Sequence, residues 1–194
     1  NQVPAWFIDS CKKIKYMFPK AHAAAYVVSA LRIGYYKTHY PLAYYAAYFS
    51  VRADEIDAIK VLQGVEKVEA YIEEIDQKTA PSARDAKERN HLDLAREMLL
   101  RGFHFLPPDL EKSHVRHFLI EDGALRMPLM SVAGLGESAA ISVVEARKES
   151  PLKTVEDIRE RTKLNNSIIE KLREAGALKQ IPESAQISLF NLME

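Results

Sequence analysis

Lys20 and His22 stand two residues apart in the stretch YMFPKAHAAAY, residues 16–26, just after a proline and just before a run of alanines. Pro19 fixes its own φ and suits the first turn of a helix, and Ala21, Ala23, Ala24 and Ala25 favour helix after it. The spacing therefore predicts a lysine and a histidine at the positive end of a helix dipole, beside backbone N–H groups with no intrahelical partner. Such a mouth can seat a triphosphate or a DNA phosphate. The alternative is a solvated lysine and a packing histidine.

The elements that must position this pair are helical. Helices are expected over residues 5–18 and 20–39, with a third after Pro41. Asp54 and Asp57 have the spacing of caps at a helix start rather than of catalytic acids. Val65, Val68, Ile72 and Ile75 then mark the buried face of a helix, with Glu66, Glu69, Glu73 and Glu74 on its wet side. Thr79 to Ser82 breaks that helix. Another is expected over 86–101, stopped by Gly102. Phe103 to Leu106 reads as a short strand or extended connector, and residues 117–130 read as two short strands around an Asp122-Gly123 turn.

The chain has 194 residues and 47% hydrophobic content, enough for a real core. It begins with Asn1, lacks an apolar leader and holds no membrane-length run, so a piece of a longer protein with no membrane partner is expected. One cysteine, Cys11, cannot form an internal disulfide or a multi-thiolate zinc site, which points to a cytoplasmic protein. His114 and His117 are too few for zinc, and no metal site is expected. Although the formal net charge is zero, residues 1–53 carry seven Lys and Arg against Asp9 alone, a net of +6. That part includes Lys12, Lys15, Arg32 and Lys37, and it holds twelve of the seventeen aromatics. Cations interleaved with aromatic rings suit phosphate contact and base stacking, although many of these tyrosines also suit helix packing.

From Ser131 two similar units follow. Val132-Ala133-Gly134-Leu135-Gly136 precedes a helix from Ser138 to Lys148, and Thr162-Lys163-Leu164-Asn165-Asn166 precedes one from Ser167 to Ala175, ended by Gly176. The first has a helix-hairpin-helix signature. Gly134 and Gly136 permit positive φ and close approach, Leu135 anchors the turn, and Ser138 is placed to cap the helix. Backbone N–H groups then face a phosphate, a grip on duplex DNA that does not read sequence. In the second unit Lys163 and the two asparagines replace the glycines, so that copy serves DNA less directly or only packs against the first. Beyond residue 180 runs a tail in which Gln186 precedes Leu189 and Phe190, one polar and two apolar anchors of a linear docking peptide.

KKIKYMFPKAHAAAYV, LRIGYYKTHYPLAYYAAYFSVRA, MPLMSVAGLGESAA and the final QISLF stand in the order shown by one family. The chain resembles the C-terminal portion of a PolC-type DNA polymerase III. The resemblance implies a mainly α fold: fingers-like helices over 1–115, then a short β-hairpin and a tandem helix-hairpin-helix domain over 116–180, then a clamp-binding tail over 181–194. It implies nucleotide or phosphate contacts at Lys20 and His22, to which charge adds Lys12 and Lys15. It further implies DNA contacts at Gly134, Leu135, Gly136, Ser138 and Lys163, and clamp contacts at Gln186, Leu189 and Phe190. The implied partners are duplex and template DNA, a deoxynucleoside triphosphate and the sliding clamp. Catalytic carboxylates and their Mg2+ are expected in an upstream palm, leaving no cofactor and no catalytic residue here. Two other readings stay open: a stand-alone helix-hairpin-helix DNA-binding module, and a helical scaffold without DNA.

Overall fold

The computed structural model describes residues 2–14 and 19–184. The fold is mainly α. It divides into two units, residues 1–40 and 41–194. Among the described residues no helix is long and apolar enough to cross a membrane.

The first unit holds α1 (Ala5–Lys13) and α2 (Lys20–His39), and neither helix carries a buried residue. The expected run to residue 18 stops short, because Ile14 is already extended, at φ −75° and ψ 107°. Lys12 and Lys13 fill the last turn, where cations favour a helix end. Pro19 sits one position earlier than expected, as the N-cap of α2 rather than inside its first turn. Lys20 is therefore the first helical residue.

The second unit begins with α3 (Pro41–Val51), whose Tyr45 and Phe49 are fully buried. The Tyr45 hydroxyl donates to Glu97 at 2.9 Å and accepts from Arg101 at 3.0 Å, so its polar end is satisfied inside the core. Asp57 caps the short helix α4 (Ala58–Val61) through the N–H of Ile59 at 3.0 Å. Asp54 instead lies in a 3-10 turn and faces Arg116 at 3.4 Å. Helix α5 (Val65–Asp76) buries Val68, Ile72 and Ile75 against α6 (Ala83–Leu100). Arg89 ties the pair together with two bonds to Asp76, at 2.6 and 3.1 Å. Ser82 and Asp85 form a reciprocal capping box at the start of α6, and Gly102 ends it at φ 83°.

Three short strands follow. Strand β3 (Ala124–Arg126) lies between β1 (Phe105–Leu106), parallel to it, and β2 (Leu119–Glu121), antiparallel to it. Asp122 and Gly123, at φ 51° and 79°, make the tight turn between β2 and β3. Then come α7 (Glu137–Glu149), α8 (Val155–Arg161) and α9 (Asn166–Glu174). One buried cluster joins Phe49, Phe105 and Phe118 to Met127, Leu135, Ile169 and Leu178, so it spans both sides of residue 115. Residues beyond 180 are anchored at first: the carbonyls of Pro182 and Glu183 accept the N–H groups of Val155 and Glu156 at 3.0 and 3.1 Å.

Arg126 shows how the sheet is held. Only 9% exposed, it forks across Glu121 at 2.8 and 2.9 Å and donates to the Pro107 carbonyl at 2.8 Å. The Arg126 guanidinium bonded to it, helped by Lys112, pulls the Glu121 carboxyl down to about 2. Because that value lies below the ordinary carboxylate range, the stabilisation is whole above about pH 4.3 and is lost as pH falls toward 2. The melting temperature should drop across that interval. Glu121→Gln should lower it at pH 7 and remove part of the acid dependence, as thermal unfolding at stepped pH will show.

Candidate nucleic-acid interface

The first hairpin is built from the core outward. A 3-10 turn at Leu129–Ser131 is buried, Val132 and Leu135 are 1% and 3% exposed, and the N–H of Leu135 closes the turn on the Val132 carbonyl at 2.9 Å. With those two side chains pinned inside, Gly134 and Gly136 face solvent. Gly134 has φ 88°, so a side chain there is strained. A Cβ on it would also stand 3.4 Å from Ile168 Cδ1 and 3.5 Å from Lys171 Nζ.

Gly136 departs from expectation. Its φ is −73°, and a Cβ there would meet nothing within 4 Å. It is the N-cap of α7, and what glycine supplies is the lack of any capping side chain. Ser138, expected to cap α7, is already its second helical residue and so lies past the capping position. The first-turn N–H groups of Glu137 and Ser138 consequently have no side-chain cap, and both residues are exposed.

The second hairpin is closed where the first is open. The N–H of Lys163 donates to Ser142 Oγ at 2.9 Å, and that of Leu164 to Thr162 Oγ1 at 3.3 Å. Asn165 caps α9 by accepting from the Ile168 N–H at 2.9 Å. The N–H groups of Lys163, Leu164 and Ile168 are thus bound within the protein, and the Lys163 side chain is exposed. The Ser142 bond also fixes this hairpin to α7. Lys171 fixes α9 to the first hairpin, donating from Nζ to the Ala133 carbonyl at 2.8 Å. Neither Ser142 nor Lys171 was among the sequence candidates, since their partners lie 21 and 38 residues away.

In the first unit Lys20 and His22 do share the opening turn of α2, both exposed, behind an N-cap with no side-chain bond. The His22 ring lies 4.5 Å from that of Tyr26, tilted by 38°. Lys12 lies in the last turn of α1. Lys15, Gln186, Leu189 and Phe190 fall outside the described residues.

Two other features are spoken for. His114 and His117 stack at 4.3 Å with planes 3° apart, and His114 Nδ1 accepts the N–H groups of Arg116 and His117 at 3.1 and 3.0 Å. A cleft of about 450 Å3 beside α4 and α6 is lined by Glu55, Lys60, Lys87, Glu88 and His91. Within it Lys60 pairs with Glu88 and Lys87 with Glu55, to which His91 Nε2 is also hydrogen-bonded. Among the described residues no three His, Cys, Asp or Glu side chains converge as a metal site needs.

The family described as helix-hairpin-helix motif matches residues 102–186. A protein of Thermotoga petrophila named DNA polymerase III PolC-type is 49% identical over 97% of this chain. Proteins of the same name from Bacillus cereus and Bacillus subtilis are 48% and 46% identical, each over 98% of it. This chain is homologous to a segment of PolC-type DNA polymerase III. It spans 14% of the Thermotoga relative and 13% of each Bacillus one.

The lock between the hairpins can be tested by itself. Ser142→Ala removes the acceptor for the Lys163 N–H at a site 8% exposed, and should cost about 1–2 kcal/mol. Leu135→Ala, which empties the turn's buried anchor, should cost about 2–4 kcal/mol. Chemical denaturation of the two variants checks both values.

Proposed function

We propose that this chain is the fingers, duplex-binding and tail portion of a replicative DNA-directed DNA polymerase of the PolC type. The observation that carries the reading is the extent of the likeness: identity of 49% runs over 97% of the chain, through the basic α1 and α2 as well as the hairpins. A stand-alone helix-hairpin-helix module accounts for residues 102–186 but not for that first part.

On this reading Lys20 and His22, with Lys12 and Lys15, neutralise and orient the phosphates of an incoming deoxynucleoside triphosphate and the nearby template, and the exposed aromatics of α2 shape the nascent pair. The hairpin from Gly134 to Ser138 holds the product duplex by its backbone. Gln186, Leu189 and Phe190 dock the tail on a sliding clamp, where tethering lets a weak peptide act at an effective concentration of order millimolar. The reaction's Mg2+ ions would be held by palm carboxylates outside this sequence and would supply Lewis-acid charge stabilisation there. The residues here bind and position. A cytoplasmic site of action follows from that role.

Duplex DNA titrated into the protein should show affinity independent of sequence that falls with salt at a log-log slope of roughly −4, for about four or five neutralised phosphates. Gly134→Val should weaken it about tenfold or more by deforming the hairpin. Gly136→Asp separates seat from fold, since its carboxylate caps α7 while filling the anion position. It should keep the melting temperature and lower DNA affinity. Affinity indifferent to salt and to both variants rejects the duplex role. Clamp capture unchanged by Leu189→Ala with Phe190→Ala rejects the docking role.

A further inference from the structure

We infer that Lys171 completes the phosphate seat of the first hairpin, a charge supplied to one hairpin by the helix of the other. The inference rests on the duplex-binding reading above and names the residue that makes its seat cationic.

The hairpin is short of charge on its own. Its backbone N–H groups carry only partial positive charge, and exposed Glu137, the first residue of α7, adds a carboxylate at the same helix start. Lys171 lies where an offset is needed. Its ammonium is 2.8 Å from the Ala133 carbonyl and 3.5 Å from where a Gly134 Cβ would be. The position is fixed from below, because Ile168, Ile169 and Leu172 are 7%, 0% and 0% exposed and set the rotation of α9. Ile168, one helical turn before Lys171, touches the same glycine position at 3.4 Å. An ammonium has three donors, and the Ala133 bond uses one. The carboxylate next to it on α9, Glu170, pairs with Arg173 at 3.3 Å. Half-buried Lys171 is thereby left to hold the hairpin carbonyl with one donor and to meet a phosphate oxygen with another.

This gives the second hairpin a part in the seat of the first. A side chain at Gly134 would also stand against this ammonium, since its Cβ would lie 3.5 Å from Nζ.

The test uses the whole 194-residue chain and a blunt DNA duplex, with affinity followed by fluorescence anisotropy across a salt series. Lys171→Gln keeps a donor for the Ala133 carbonyl without the charge, and Lys171→Arg keeps the charge. If the inference holds, the Gln variant loses about 0.9 from the log-log slope, which is about eightfold in affinity at 0.1 M salt, and melts as the parent does. The Arg variant retains the slope. A Gln variant whose slope equals the parent's, while Gly134→Val still weakens binding, overturns the role of Lys171 and leaves the duplex reading standing. A parent chain with no salt-dependent duplex affinity overturns both.

Discussion

Phe49 is the constraint on which the rest of the second unit depends. Its fully buried ring lies 5.4 Å from that of Phe105 in β1 and 5.6 Å from that of Phe118, the residue before β2, so one side chain of α3 packs against both edges of the small sheet. The N–H of Phe118 donates to Ser50 Oγ at 2.8 Å, which sets the register of that junction. From the sheet the order passes on. Ser113 reaches the Met127 carbonyl at 2.6 Å, and Arg147 of α7 reaches the Leu110 carbonyl at 2.6 Å, so the hairpin helix is seated on the loops that the aromatic junction fixes. Aromatic area and a few long-range hydrogen bonds together turn separate helices into one frame.

On that frame the two hairpins have diverged in the use of their backbone donors. The first ends in a glycine N-cap and leaves the start of α7 without a side-chain cap, which costs helix stability. The second binds the N–H groups of Lys163, Leu164 and Ile168 through Ser142, Thr162 and Asn165. Arg161 belongs with it, donating to the carbonyls of Ala146 and Ser150 at the end of α7. Each copy of the motif is held by a side chain of the other, Lys163 by Ser142 and Ala133 by Lys171.

Much of the local structure was legible in the sequence, and its limits follow from range. Val68, Ile72 and Ile75 recur at helical spacing, and Asp122-Gly123 is a turn whose positive φ angles only a few residues accept, so α5 and the β2–β3 hairpin could be read from neighbours alone. Leu135 was legible as an anchor because one apolar residue between two glycines has few other uses. The parallel pairing of β1 with β3 was not, since strands of two and three residues carry no periodicity. Helix α8, seven residues long, escaped for the same reason, though Thr154 three residues before Asp157 was a capping signal in plain view. The roles of Gly136 and Ser138 turned on a single position at a helix start, finer than residue types resolve. Lys171 could be found only once packing had brought α9 beneath the first hairpin.

The first unit raises a different matter. Trp6, Tyr26 and Leu31 are 71%, 67% and 69% exposed, and no residue of α1 or α2 is buried. Within the described chain Trp6 and Tyr26 make ring contacts with neighbours on the same helix, Phe7 and His22. A large aromatic in a core is kept because its loss leaves a void, but these positions have no void to leave. A substitution at such sites therefore costs the described fold little stability, and what these rings offer is open surface.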